Sequence, residues 1–303
     1  MAGVCADTRR RRWLTGVLGV LALGMQLAGC AQVERRDGYV VDTSHVAAAH
    51  NSRVYHLVMH YTGHHEARAL HTLTGPQVSS HYLMPLPARQ FRGAPLIYQL
   101  VEEKRRAWHA GVSEWGDRRN INDTSIGIEI TNAGPRGTLF GLYWARYPDD
   151  QIEAVIALAQ DIIARHDIDP VNVVAHSDVA PSRKLDPGPR FPWRRLYEAG
   201  IGAWPDDDTV ACYAAVFSAA PPSLITLQAG LRGYGYPIAV SGELDAQTED
   251  VLRAFQLHFR PRRYDGQADV ETMAVLWALL VKYRPGVVQA LADEVDAYAC
   301  SAS

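Results

Sequence analysis

The stretch from Asp149 to His166 constrains the fold more than any other part of the chain. Its apolar residues Ile152, Val155, Ile156, Ala159, Ile162 and Ile163 recur at helical spacing, and Asp149 or Asp150 is placed to cap the first turn. Short runs of strand formers flank it, Ile126 to Thr131 before and Val171 to Ala175 after. Two further strands are expected upstream, Val54 to Tyr61 and Val78 to Met84. Strands interleaved with a helix define an α/β fold, a mixed β-sheet flanked by helices.

Several of these strands end on residues that carry chemistry. Val173-Val-Ala-His176 closes one strand and leads into a loop of pattern H-x(7)-K-x-D, ending on Lys184 and Asp186. A strand end holds a side chain rigidly, Pro181 and Pro187 stiffen the loop, and residues two apart in an extended segment point the same way. Neutral imidazole and carboxylate are good zinc ligands, and a neighbouring cation can meet a developing oxyanion. A catalytic zinc takes three protein ligands and keeps one position open. His60, at the end of Tyr-His-Leu-Val-Met-His60 and ahead of Thr62-Gly63, supplies the third. His64 stands four residues further on, the spacing of a helical metal pair, but Gly63 and the strand formers before it argue against a helix. Ile126-Gly-Ile-Glu129-Ile130 alternates, setting its isoleucines on one face and Glu129 on the other. Taken alone, such an acid is usually just solvated.

Past Pro192-Trp193 the chain runs through Gly200, Gly202, Pro205 and Asp206 to Asp208, then an alanine-rich stretch and Pro221-Pro222, a domain boundary by composition. Beyond it, Gly242-Glu-Leu-Asp245-Ala-Gln-Thr248 and Gly266-Gln-Ala-Asp269-Val-Glu-Thr272 echo one another. Each reads as a turn, an aspartate N-cap and a helix. With a helix near Leu224 to Leu231 they make a second, small three-helix domain, which has no catalytic constellation of its own.

At the other end, the basic run Arg9 to Arg12 precedes an apolar stretch from Trp13 to Ala28, shorter than the roughly 20 residues of a membrane-spanning helix. This is the layout of a signal peptide. Leu27-Ala28-Gly29-Cys30 resembles the lipobox of bacterial lipoproteins, which implies that Cys30 is lipidated and begins the mature chain. Ala31, where an aspartate would retain a lipoprotein in the inner membrane, points to the outer membrane. Cys212 and Cys300 remain, and in an oxidising compartment they either pair or stay as buried thiols. With 30 Lys and Arg against 33 Asp and Glu, the formal charge of -3 offers no basic field for nucleic acid.

Five segments together, Met59-His60-Tyr61-Thr62, Val78-Ser-Ser-His81-Tyr82, Ala107-Trp108-His109-Ala110-Gly111, Ile126-Gly-Ile-Glu129 and His176 to Gly188, resemble the type 2 N-acetylmuramoyl-L-alanine amidases, whose domain is shared with peptidoglycan recognition proteins. They cover roughly residues 50 to 195. The resemblance implies that His60, His176 and Asp186 bind zinc, that Glu129 handles the proton of the activated water, and that Lys184 stabilises the tetrahedral intermediate. It also implies that Trp108 and His109 lie beside the substrate, a peptidoglycan or muropeptide amide between N-acetylmuramic acid and L-alanine. The C-terminal part, through Ala254-Phe255-Gln256 and Phe259-Arg-Pro261, resembles a peptidoglycan-binding helical module, which would tether the enzyme to the wall. The expected layout is a signal peptide at 1–29, a tether at 30–50, the amidase domain at 51–200, a linker at 201–222, the module at 223–285 and a tail at 286–303. The expected molecule is a monomeric lipoprotein at the periplasmic face, cutting wall or its (anhydro)muropeptide fragments for remodelling or recycling. A non-catalytic recognition protein is the alternative. A general metallopeptidase fits poorly, because the chain lacks an H-E-x-x-H helix.

Overall fold

The structure, a computed structural model, describes residues 33–138, 141–292 and 300; the expected signal peptide, the expected lipidation site Cys30 and Ala31 lie outside the described residues. Two units are distinguished, 1–51 and 52–303. In the first, where a plain tether was expected, strand β1 (Val33–Arg36) pairs antiparallel with β2 (Tyr39–Asp42). Gly38, at φ +80°, makes the tight turn between them.

The second unit holds the sheet. Its five strands run in the order β9 (Val173–Ala175), β3 (His56–Tyr61), β6 (Ser125–Ile130), β4 (Tyr82–Met84) and β5 (Tyr98–Gln99). The first four are mutually parallel and β5 is antiparallel at the edge, so the expected mixed sheet is present; outside it, β7 (Pro135–Thr138) and β8 (Gly141–Trp144) pair antiparallel with each other. Three strands are shorter than their sequence suggested, β3 beginning at His56 where Val54 was expected. Residues 78–81 carry their hydrogen bonds elsewhere, Ser79 N–H to Trp108 O among them, and Pro170–Asn172 forms a 3-10 turn behind Asp169.

Strand alternation sorts the side chains. Leu57, Met59, Ile126, Ile128, Ile130, Val173 and Ala175 face α2 (Asp149–His166) and pack on Ile152, Val155, Ala159 and Ile162. Burying each such side chain stabilises the fold by about 1.5–3 kcal/mol relative to exposure. Pro148, not an aspartate, stands at the N-cap of α2, with Asp149 and Asp150 inside the first turn where they complement the helix dipole.

The opposite face, through Val58 and Val174, joins a core with the C-terminal helices. These are α5 (Asp207–Ala219), α6 (Leu224–Tyr234), α7 (Ala246–Phe259), α8 (Val270–Tyr283) and the short α9 (Pro285–Ala290); upstream of α5 lie α1 (Glu66–Leu73), α3 (His176–Val179) and α4 (Trp193–Glu198). The aspartate caps behave as their sequences imply, Asp245 accepting from Thr248 N–H at 2.8 Å and Asp269 from Thr272 N–H at 2.9 Å.

The stretch expected as a linker at 201–222 is instead largely α5, so the module has more helices than the three expected. Alanine is the best helix former, and Tyr213 and Phe217 bury themselves, Phe217 edge-on to Trp277 at 5.4 Å. The tail contributes α9, and Cys300 is bonded to Cys212, which closes the question left open by the sequence in favour of pairing.

Candidate active site

Strand register assembles the site. Glu129 of β6 lies beside His60 of β3, and Ala175 of β9 beside Met59, so His176 emerges level with His60 at the carboxyl ends of parallel strands. That edge is where open α/β sheets form their crevices. His176 is the first residue of α3, a single turn whose direction change lifts the imidazole off the sheet. Asp186 returns to it from the loop, its carbonyl accepting from Ser177 N–H at 3.0 Å.

Three ligand atoms converge. His60 Nδ1 is 2.9 Å from His176 Nδ1 and 3.1 Å from Asp186 Oδ2, which is 3.0 Å from His176 Nδ1. All three side chains are buried. His176 Nε2 lies 3.2 Å from the Ala110 carbonyl, which only accepts, so in the neutral ring the proton is on Nε2 and Nδ1 presents a lone pair. His60 Nε2 meets His109 Nδ1 at 3.0 Å, and His109 Nε2 meets Ser125 Oγ at 3.1 Å. Two imidazole nitrogens and a carboxylate oxygen crowded on one point, backed by partners that orient them, form a donor set that fits a divalent metal with a position left open.

The electrostatics agree. Burial and the adjacent His176 push His60 down to about 4, and burial with His60 and His81 holds His109 well below the usual imidazole range. Burial opposes ionisation of Asp186, but the two imidazoles outweigh it and keep the carboxyl well below its ordinary range. Glu129 goes the other way: burial first and Asp186 second raise it well above the usual carboxylate value, with Lys184 opposing. Its Oε2 is buried with no hydrogen-bond partner among the described residues. An orphaned acceptor of this kind beside the ligand cluster calls for a proton or a substrate group.

A cleft of about 410 Å³ opens over these groups, lined by Tyr61, Trp108, His109, Glu129, His176, Lys184 and Asp186 among others. Sequence reasoning singled out eight residues; the structure brings seven of them together here, and Cys30 lies outside the described residues. Trp108 is half exposed at the cleft, with the Arg106 guanidinium 4.1 Å from its ring centroid. His109 is buried and touches both the cleft and His60, so it stands behind one member of the cluster as well as at the cleft wall. His81 of the second resembling segment is occupied away from the cluster: Nδ1 accepts from Gly127 N–H at 3.1 Å and Nε2 donates to Arg105 O at 3.0 Å. His64 is exposed and precedes α1.

Sequence reasoning missed the supports. Asn122 Oδ1 accepts from the N–H groups of His109 and Ala110 at 3.0 and 2.8 Å, fixing the segment that backs both His60 and His176. Gly127 is required by close approach: a Cβ there would sit 2.6 Å from the His109 ring. The glycine inside the Ile-Gly-Ile-Glu strand was the one available signal, since an isolated strand glycine marks such an approach.

The fold and this ligand cluster define a class. The pattern of the N-acetylmuramoyl-L-alanine amidase family matches residues 50–189, and that of a peptidoglycan binding domain matches residues 221–276. The chain belongs to the N-acetylmuramoyl-L-alanine amidases and is an enzyme of that activity. Over 282 residues it is 46% identical to the amidase AmiD of Escherichia coli, an alignment covering 91% of this chain and 99% of AmiD. The structure of AmiD in complex with anhydro-N-acetylmuramic acid-L-Ala-D-gamma-Glu-L-Lys superimposes with a TM-score of 0.76, over 83% of this chain and 98% of that one. AmpDh3 of Pseudomonas aeruginosa, in complex with an anhydromuramic pentapeptide, is 43% identical with a TM-score of 0.73, over 82% and 98% of the respective chains.

Proposed function

We propose that the chain is a zinc-dependent amidase that hydrolyses the lactyl amide between N-acetylmuramic acid and L-alanine, in peptidoglycan and in its anhydromuropeptide fragments. The observation that carries the zinc reading is the convergence of His60 Nδ1, His176 Nδ1 and Asp186 Oδ2 within 3.1 Å of one another. The anhydro form of the substrate is supported by the molecules bound to AmiD and AmpDh3.

His60, His176 and Asp186 would hold the metal. Zinc there supplies Lewis acidity toward the scissile carbonyl and lowers the pKa of water. Glu129, its carboxyl raised by burial, takes the proton of the attacking water and returns it to the leaving L-alanine nitrogen. Lys184 lines the same cleft and meets the oxyanion of the tetrahedral intermediate. Trp108 offers its exposed ring to the sugar or the stem peptide. No covalent intermediate is required.

Purified protein incubated with sacculi and with anhydromuropeptides should release peptides beginning with L-alanine, lose that activity on chelation and recover it with zinc. Failure to release peptide from every substrate, at any zinc level, would sink the proposal. The signal sequence and Cys30 support export as a lipoprotein, with Ala31 favouring the outer membrane. Mass spectrometry of the mature N-terminal peptide checks this: a diacylglyceryl Cys30 is expected, and cleavage elsewhere overturns it.

A further inference from the structure

The carboxylate of Asp178 is wholly buried, two residues past His176 on the same four-residue turn, α3. Its Oδ2 accepts from Ala175 N–H at 2.7 Å, which closes the turn on itself. The other two donors come from the C-terminal module. Tyr236 Oη–H donates to Oδ1 at 2.8 Å, and His258 Nδ1–H to Oδ2 at 2.7 Å. Neither donor is free to wander. The His258 ring lies stacked on Trp193 at 3.8 Å, and Tyr236 stands edge-on to Trp115 at 4.9 Å. Trp115 in turn donates from Nε1 to Val171 O at 3.1 Å, just ahead of strand β9.

We propose that Tyr236 and His258 are positioning residues for the metal centre: by holding Asp178 they fix the turn that aims His176 Nδ1 at Asp186 and His60. The proposal rests on the reading of that cluster as a zinc site. A buried carboxylate that loses one of its three donors is left under-satisfied, and the relief open to it is movement of its turn toward water. A turn of four residues has no length in which to absorb that movement before it reaches His176. Groups that orient metal ligands from outside the coordination sphere typically change metal affinity 10–100-fold when removed. The helical module is then part of the catalytic unit, whatever it does toward the wall.

The test measures the zinc dissociation constant of the full chain by competition with a chromophoric chelator, beside melting curves of the metal-free protein. His258→Phe keeps the stacked ring and removes the donor, while His258→Asn returns an N–H near the position of Nδ1. Tyr236→Phe removes one hydroxyl and keeps the packing. Zinc binding should weaken about 10-fold in Tyr236→Phe and about 10- to 100-fold in His258→Phe, with His258→Asn recovering most of the loss. Asp245→Ala, at the far end of α7, removes only an N-cap; it should lower the melting temperature and leave zinc affinity within about twofold. Tyr236→Phe that folds and binds zinc as the wild type does overturns the proposal even where His258→Phe fails to fold. Equal losses of affinity in Asp245→Ala and Tyr236→Phe also overturn it, since general destabilisation would then suffice. A wild-type chain that takes up no zinc overturns the metal reading itself and this proposal with it.

Discussion

Glu129 and His60 are neighbours across a parallel ladder, yet their ionisation is driven in directions that suit different tasks. Burial keeps the imidazole neutral, as the proposed role of metal ligand requires, and keeps the carboxyl well above its usual range, as the proposed role of proton carrier requires. Glu129→Gln should therefore retain fold and metal while lowering kcat about 10²- to 10⁴-fold, as steady-state kinetics and metal analysis on one preparation would check. The glycine beside them is as demanding. Gly127→Ala would push a methyl into the His109 ring, and overpacking of this kind costs about 1–3 kcal/mol. Because that ring backs His60, the variant should also bind metal more weakly, which a chelator competition would detect.

Among the elements, α2 and the strands it covers show how polar groups register a helix that apolar packing alone would let slide. Glu103 ties them together: it accepts from Tyr82 Oη–H on β4 at 2.6 Å and pairs with Arg165 and His166 at the end of α2. The hydrogen bond from Arg165 leads in holding its carboxyl down to about 2 against an ordinary 4.5, with burial opposing. A depressed acid of this kind contributes stability that is complete above about 4.5 and is lost as pH falls toward about 2. Arg165 is substantially exposed, so screening keeps the contribution modest, about 0.5–1 kcal/mol. Glu103→Gln should remove that amount at pH 7 and flatten the stability profile between those two pH values, measured by urea unfolding.

At the scale of the whole molecule, the catalytic sheet and the helical module share one core. Val58, Trp115, Val174 and Val179 pack with Leu231, Tyr234, Tyr236 and Phe255, and Trp144 Nε1 donates across to Tyr264 Oη at 2.9 Å. The module is closed on itself by the bond between Cys212 and Cys300, which are 88 residues apart. Replacing both cysteines with serine should lower unfolding free energy by about 2–4 kcal/mol, read by denaturant titration, while amidase activity at 25 °C persists because neither cysteine touches the cleft.

The sequence by itself determined the α/β class, the long helix, the aspartate-capped helices and the family, because these are written in local periodicity, capping chemistry and short motifs. It also marked out the residues that gather at the cleft, since His60, His176, Lys184 and Asp186 sit at strand ends and in a stiffened loop where such side chains converge. Only the tertiary structure decided that Glu129 is half-buried beside the cluster with its Oε2 out of solvent, where alternation alone left it solvated. Only the structure made a packed helix of the alanine-rich stretch expected as a linker, and joined two cysteines that could as well have stayed apart. It alone placed Tyr236 and His258 on Asp178, in sequence terms 58 and 80 residues away. The physical reason is common to these cases: burial and hydrogen-bond partnership are properties of an environment assembled from distant segments, and no local pattern encodes them.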